Sequence, residues 1–433
     1  MSRNDGIDYA GRAKQELGFS RWWQIVAAVV MMGLISPYQY VWTSIEGPLS
    51  QALNVEQAAI GLVFTLFVIF QAGSQVPVGW WRDRHGPRGL TLLAGILAGG
   101  GYLGLAVATS VWQLYLFYSL GAIGVGIVYT VAVNTALKWF PDRRGLTTGL
   151  GTMAFAAGSA LVVGYVIENA TPTGYSEVLT NMGLVIGVGI LVGALVLRDP
   201  PKDWLDDAEA TAGQGASEKG AESSASTDGG VSAYSNRQYR SKEMLRTWQF
   251  WLMYGMFVGV SAAGLMLTAK IVQFAQYFEL TEDIVILSAT ALPIAGGVGR
   301  LVMGWLSDRV DRERAMFTSF TLCGLGLFAV TYLGASGFEY AFIGAVAVAT
   351  FFWSPQYTLF PSVVGDYYGT EHSSANYAYL YTGKMWGGLF GGAVAGFLVS
   401  TTSWTTTFTI GGALAVLAGV AALVLHEPQE ESA

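Results

Sequence analysis

Cysteine, histidine and charge are all scarce in this chain. Its 433 residues include one cysteine, Cys323, so no intramolecular disulfide can form, and its apolar setting says nothing of redox compartment. The three histidines, His85, His372 and His426, are scattered and suggest no metal cluster. Asp, Glu, Lys and Arg together make up 12% of the residues, and many of the acids behind the net charge of -7 lie in the tails and one central stretch. No clustered basic surface is present to attract nucleic acid. No Gly-rich loop ending in Lys-Ser/Thr links a strand to a helix, which removes a phosphate cradle. Nor do the apolar runs hold a nucleophile–base pair, a metal set or a cofactor motif, so the chain does not read as an enzyme and no cofactor is expected.

What the chain has in quantity is apolar sequence. Hydrophobic residues make up 52% and glycine numbers 56, a membrane-protein composition. Runs of roughly 20 apolar residues, enough to span a bilayer as helices, fall near 22–42, 56–80, 89–108, 111–138, 145–168, 177–197, 248–277, 284–306, 314–334, 339–360, 374–400 and 405–425. Residues 1–20 are polar and of mixed charge, so the first run is expected to stay as a helix rather than be cleaved as a signal. The pattern predicts an all-α membrane protein of twelve transmembrane helices. Its expected parts are a tail 1–21, a six-helix half 22–198, a linker 199–246, a second six-helix half 247–426 and a tail 427–433. The linker's middle, 209–232, is rich in Gly, Ser, Ala and Glu, with too few large apolar residues to fold.

Orientation follows from lysine and arginine. With both termini cytoplasmic, the tails, linker and inner loops hold Arg82, Arg84, Arg88, Lys138, Arg143, Arg144, Arg309, Arg312 and Arg314, and the outer loops hold none. Three cations remain, all inside spans: Lys270, Arg300 and Lys384. A fixed charge at mid-depth costs about 2.5–3.5 kcal/mol or more, so it persists only where it faces the protein interior and something negative or wet meets it. Arg300 lies eight residues before Asp308 and Lys384 ten past Ser374, about 12 and 15 Å along a helix, so both approach mid-depth from the inner side. No acid is evident at either depth, which leaves the counter-charge to an anionic cargo. Lys270 is expected either to snorkel to the outer interface or to line an outward vestibule.

The halves echo each other. Gly79 to Arg88, with Asp83 inside it, corresponds to Gly304 to Arg312 with Asp308, an offset of 225 residues; Phe140-Pro141 corresponds to Phe360-Pro361, an offset of 220. Two landmarks at nearly equal offset indicate a duplicated six-helix unit, and halves related in this way place a site at their interface in transporters. Asp83 and Asp308, with Arg143 and Arg144, are candidates for a gate, since an aspartate at a helix end can pair with arginines that are easily released.

These paired glycine–aspartate–arginine loops resemble the signature of the major facilitator superfamily. Further landmarks are similar to the oxalate/formate antiporter family of carboxylate transporters: Tyr38 to Trp42, Gln71 to Gln75, Gly124 to Tyr129, Asn134 to Gly145, Glu243 to Trp251, Gly299-Arg300, Tyr357 to Ser362, and Asn376-Tyr377 ahead of Lys384. The resemblance implies the major facilitator fold, Arg300 and Lys384 as substrate-binding cations, and an aromatic cage of Tyr40, Tyr129, Trp353, Tyr357 and Tyr381, with Gln39 beside it. Three residues depart from the pattern for a dedicated oxalate exchanger. Phe155, placed with Lys270 at a possible vestibule, stands where a tyrosine is expected; Tyr381 replaces a tryptophan; and Lys270 replaces an uncharged residue.

An arginine fork and a compact lysine charge can hold the two ends of a small dicarboxylate, or a monocarboxylate with one charge to spare. The expected activity is therefore secondary transport of small organic carboxylates by anion exchange and alternating access, in the plasma (inner) membrane, by a chain acting as a monomer. A proton-coupled monocarboxylate carrier is the main alternative; the position four before Arg300, where a proton-carrying aspartate is expected in that group, is Gly296. A non-transporting membrane carboxylate sensor is the alternative of a different class. Glycines such as Gly383, Gly387, Gly391 and Gly392 read as packing residues that let helices approach.

Overall fold

The computed structural model of the chain describes residues 9–140, 144–201, 238–307, 309–369 and 373–428. All regular structure among them is helical. Among the described residues, nine stretches, from Ala58–Gly79 to Trp404–Ala422, are long and apolar enough to cross a membrane, or ten if the bent pair Gly11–Leu17 and Trp22–Tyr40 is one span. Large apolar side chains such as Ile96, Val185, Leu195 and Leu417 stand exposed on these helices, an outer surface made for lipid rather than water. The centre of the linker expected at 199–246, residues 202–237, lies outside the described residues. Its two ends are tied down: Asp199 pairs with Arg82 at 2.9 Å, and the Tyr239 N–H donates to the Tyr368 carbonyl at 2.9 Å.

Five of the twelve expected runs are not continuous helices among the described residues: the second breaks at Ser74, between Gln57–Gly73 and Gln75–His85, and the fifth passes through a 3-10 turn, Gly158–Leu161, between Arg144–Ala157 and Val163–Asn169. The first, tenth and eleventh are the other three. The first is helical over Trp22–Ile35, Pro37–Tyr40 and Trp42–Leu53. It therefore runs eleven residues beyond the expected end at 42. The tenth breaks between Glu339–Trp353 and Gln356–Tyr368. The eleventh is divided into Ser373–Tyr381, Gly383–Leu389, a π-type turn Phe390–Val394 and Ala395–Thr401. Local chemistry explains the breaks in these three. Pro37 and Pro355 bring no N–H and restrict the residue before them. At Thr382 the chain tightens, its N–H donating to Tyr379 and its carbonyl accepting from Met385, both three residues away. Broken helices in a membrane are tolerated only where the freed backbone is buried in protein or lines a chamber. The breaks in the first, tenth and eleventh runs fall beside Tyr40, Trp353 and Lys384, the positions the sequence singled out.

Residues 22–198 and 247–426 meet along three seams. Trp42–Leu53 lies against Trp248–Tyr277, Gln57–Gly73 against Gly383–Leu389 and the π-type turn, and Arg144–Ala157 against Glu282–Ser307. The second seam is backbone on backbone. A Cβ on Gly61 would stand 2.7 Å from the Gly392 carbonyl oxygen, so only glycine fits there. Thr65 secures the same contact, its hydroxyl donating to the Gly388 carbonyl at 3.0 Å and accepting from the Ala393 N–H at 2.9 Å.

Candidate functional site

Arg300 comes from Glu282–Ser307 and is 3% exposed. Its guanidinium donates through Nε to Ser354 Oγ at 2.7 Å, through Nη1 to the Thr152 carbonyl at 2.9 Å and, at 3.4 Å, through Nη2 to the Tyr40 hydroxyl. Ser354 is in place because the tenth run breaks there, which turns its hydroxyl to the arginine. Thr152 and Tyr40 reach in from the other half.

Lys384 opens the Gly383–Leu389 helix and is 1% exposed. Its Nζ donates to Gln71 Oε1 at 3.0 Å, to Gln39 Oε1 at 3.2 Å and to the Tyr381 hydroxyl at 3.4 Å. A lysine only donates, so both glutamines must turn their oxygens to it. Their Nε2 groups are then left buried with no hydrogen-bond partner among the described residues, as are Trp353 Nε1 and the Tyr357 hydroxyl.

One ring joins the two cations. The face of Tyr357 lies 4.8 Å from Arg300 Cζ and 5.5 Å from Lys384 Nζ, so the charges are no further apart than those two distances laid end to end. Such contacts favour a cation by about 0.5–2 kcal/mol, far short of cancelling a buried charge. No carboxylate pairs with either cation among the described residues; every hydrogen-bond partner is a neutral oxygen. The result is a buried pair of like charges bordered by unused donors, which is electrostatically a mould for an anion.

The aromatic residues surround this pair. Trp353 meets Tyr357 edge-on at 5.8 Å although a helix break separates them, and Tyr357 meets Tyr381 at 6.2 Å. Tyr129 packs edge-on against Phe155 at 5.4 Å, and Phe155 in turn against Tyr40 at 6.2 Å. Phe155 is 2% exposed and forms part of this wall, not of an open vestibule.

Lys270 corrects the sequence reading outright. It neither snorkels nor lines a vestibule: it is 1% exposed and forms an ion pair with Glu46, itself fully buried. A first helix ending at 42, as the apolar run predicts, would leave Glu46 near the outer surface. With the helix continuing to Leu53, Glu46 stays inside the protein and supplies the acidic partner that Lys270 had lacked. Of the expected gate residues, Arg143 and Asp308 and the side chains of Asp83 and Arg144 lie outside the described residues. Gln71, Ser354 and the Thr152 carbonyl were not predicted as site groups. Gln71 was visible within a landmark, whereas a backbone carbonyl has no signature in sequence.

Comparison with known proteins gives the same architecture. The chain is 32% identical to the oxalate:formate antiporter of Oxalobacter formigenes, an alignment covering 90% of this chain and 88% of that protein. It is 25% identical to a probable sulfoacetate transporter of Cupriavidus necator, covering 93% of each. Among solved structures, the xylose transporter XylE from E. coli in a partially occluded inward-open conformation superposes with a TM-score of 0.71 at 13% identity, over 94% of this chain and 100% of that one. The sequence profile of the Major Facilitator Superfamily matches residues 24–273 and 255–433. These relatives are transporters, not enzymes, and the chain belongs to the major facilitator superfamily, within which it resembles the oxalate/formate antiporter family.

Proposed function

We propose that this protein is a secondary transporter of small organic carboxylates that works by exchange, its halves rocking so that the central site faces one side of the membrane and then the other. One observation carries the reading: Arg300 and Lys384, both buried, share the Tyr357 ring and are met only by neutral oxygens. A dianion gripped by the arginine fork at one end and the lysine at the other cancels both charges. The empty carrier must close over two uncompensated cations, which is costly, whereas the loaded one closes over a neutral site. A carrier that closes more readily when loaded exchanges its cargo rather than leaking it. The names of the two relatives, oxalate:formate antiporter and probable sulfoacetate transporter, support an anionic substrate of this size. Loop charge supports both termini on the cytoplasmic side of the inner membrane, with Asp83, Arg143, Arg144 and Asp308 gating that side.

The test is a thermal-shift panel of mono- and dicarboxylates on the purified protein, then exchange of a labelled hit in proteoliposomes. Stabilisation by carboxylates that is lost in both Arg300→Gln and Lys384→Gln, with efflux that requires external anion, is the expected result. Equal efflux without external anion refutes exchange, and an unchanged set of stabilising anions in both variants refutes the site. The buried Glu46 gives a second reading some footing, that of proton-coupled monocarboxylate uptake. Its ion pair with Lys270 already occupies it, which favours exchange. Accumulation driven by a pH gradient and abolished by Glu46→Gln would reverse that preference.

A further inference from the structure

Lys270 and Glu46 do not stand alone. Beside them the Thr43 hydroxyl accepts from the Val272 N–H at 3.0 Å and donates to Gln273 Oε1 at 3.2 Å, while Gln273 Nε2 donates to the Thr43 carbonyl at 2.7 Å. All four side chains are buried. Each of these bonds crosses from Trp42–Leu53 to Trp248–Tyr277, hence from one half to the other. Lys270 is 22 residues into its helix, roughly 33 Å from the linker end at 1.5 Å per residue. The cluster therefore seals the end of the inter-half seam opposite the linker.

We propose that Thr43, Glu46, Lys270 and Gln273 form a gate, shut in this structure, that comes apart whenever the central site opens at that end. The inference rests on the transport reading above and adds to it a named mobile contact. Two physical arguments support a gate over a permanent staple. A seam meant to stay shut is served at least as well by packed apolar side chains, since a buried ion pair returns little net stability for its desolvation. An ion pair has the opposite merit: its halves are well hydrated once separated, so closed and open states stay close in free energy, which an exposed apolar seam would not allow. The second argument is mechanical. Gln39 and Tyr40, which meet Lys384 and Arg300, lie three to seven residues before Thr43 and Glu46 on the same buried stretch. Moving that stretch away from Lys270 also draws the glutamine and tyrosine oxygens off the two site cations. Opening the gate thus strips the cations of their stand-in partners as an entering anion needs them.

The experiment uses full-length protein in lipid nanodiscs, with Cys323→Ala and spin labels on Gln51→Cys and Gln276→Cys, both exposed near the gate. Pulsed electron–electron resonance then reads the separation between the two helices. The expected result is a short and a longer population in the parent. Glu46→Gln with Lys270→Gln, which leaves no lone buried charge, shifts their ratio roughly tenfold toward the longer separation, and Glu46→Lys with Lys270→Glu returns it. One unchanged separation in the parent and both double variants overturns the gate. Oxalate added to the parent tests the underlying reading separately. Variants that shift the separation while neither oxalate nor any other carboxylate of the panel shifts it or stabilises the protein uphold the gate and refute carboxylate transport; the converse refutes the gate alone.

Discussion

Replacing Lys384 by glutamine should reverse which anions the protein prefers. The parent site holds two cations, so a dicarboxylate leaves it neutral and a monocarboxylate leaves one positive charge. In Lys384→Gln only Arg300 remains, and the monocarboxylate becomes the neutralising ligand. At an effective dielectric of about 20, a unit pair at about 4 Å is worth roughly 4 kcal/mol and one at about 6.5 Å roughly 2.5 kcal/mol. A dianion touching both cations loses a near and a far term on substitution, while a monoanion seated on Arg300 loses only the far one. The differential loss is about 2–4 kcal/mol once partial screening is allowed for, roughly 30- to 700-fold in the ratio of dissociation constants. Calorimetric titration of oxalate and malonate against formate and acetate measures that ratio directly. A second readout comes from the unliganded protein. Since Lys384 is held by amide and hydroxyl oxygens alone, a neutral amide there removes a buried uncompensated charge, and the melting temperature should rise. Equal losses for mono- and dicarboxylates, or a lower melting temperature without ligand, would refute the charge reasoning.

Ser354→Ala removes the acceptor that fixes Arg300 Nε at 2.7 Å; hydrogen bonds to charged groups contribute about 1.5–3 kcal/mol, so titration should show mono- and dicarboxylates weakened alike by roughly 10- to 150-fold. Trp353→Phe deletes an indole N–H with no partner among the described residues. The smaller ring also leaves a gap beside Gly264, so denaturation should find a loss of about 1–3 kcal/mol, and anion affinity should fall by about 1 kcal/mol as the indole donor is lost. Gly61→Ala drives a methyl against the Gly392 carbonyl oxygen at 2.7 Å and should cost about 1–3 kcal/mol while slowing exchange in vesicles. Gly100→Ala, which meets nothing within 4 Å, should leave both measurements unchanged.

Much of the architecture was legible in the sequence because lipid imposes a blunt rule: stretches of about 20 apolar residues must be helices. Nine of the predicted runs are such helices. Arg300 and Lys384 stood out for the same reason, since a charge in an apolar run is conspicuous. The pairing of Lys270 with Glu46 was not legible. It joins residues 224 positions apart, and Glu46 lies where Pro48, Ser50 and Gln51 lower the local hydropathy and make the helix look finished. Nor could sequence give the clasp of Gln39 and Gln71 on Lys384. Which way an amide turns depends on what it faces, and that is a property of the assembled halves. The breaks at Thr382 and Ser354 were missed because only Pro355 marks one of them, and tertiary packing rather than local preference decides whether a helix continues past such a point.

The charges divide unevenly between the halves, and that division bears on how the carrier moves. Lys270, Arg300 and Lys384 all lie on the second half, with the Tyr357 ring that joins the two site cations. To these groups the first half offers Glu46 and otherwise neutral oxygens, from Gln39, Tyr40, Gln71 and the Thr152 backbone. If the halves part as units, an anion stays with the second half, which holds its counter-charges, and the first half withdraws as a lid. The neutral oxygens of the lid are weak substitutes for a carboxylate. They keep the two cations hydrogen-bonded in the closed, empty protein, yet yield readily to an anion that brings real charge. A carboxylate in place of Gln39 or Gln71 would satisfy Lys384 permanently and compete with the cargo. With Lys270 the requirement is the opposite: no ligand is needed at the seam, so a true acid meets it, and the closed protein has two uncompensated cations rather than three.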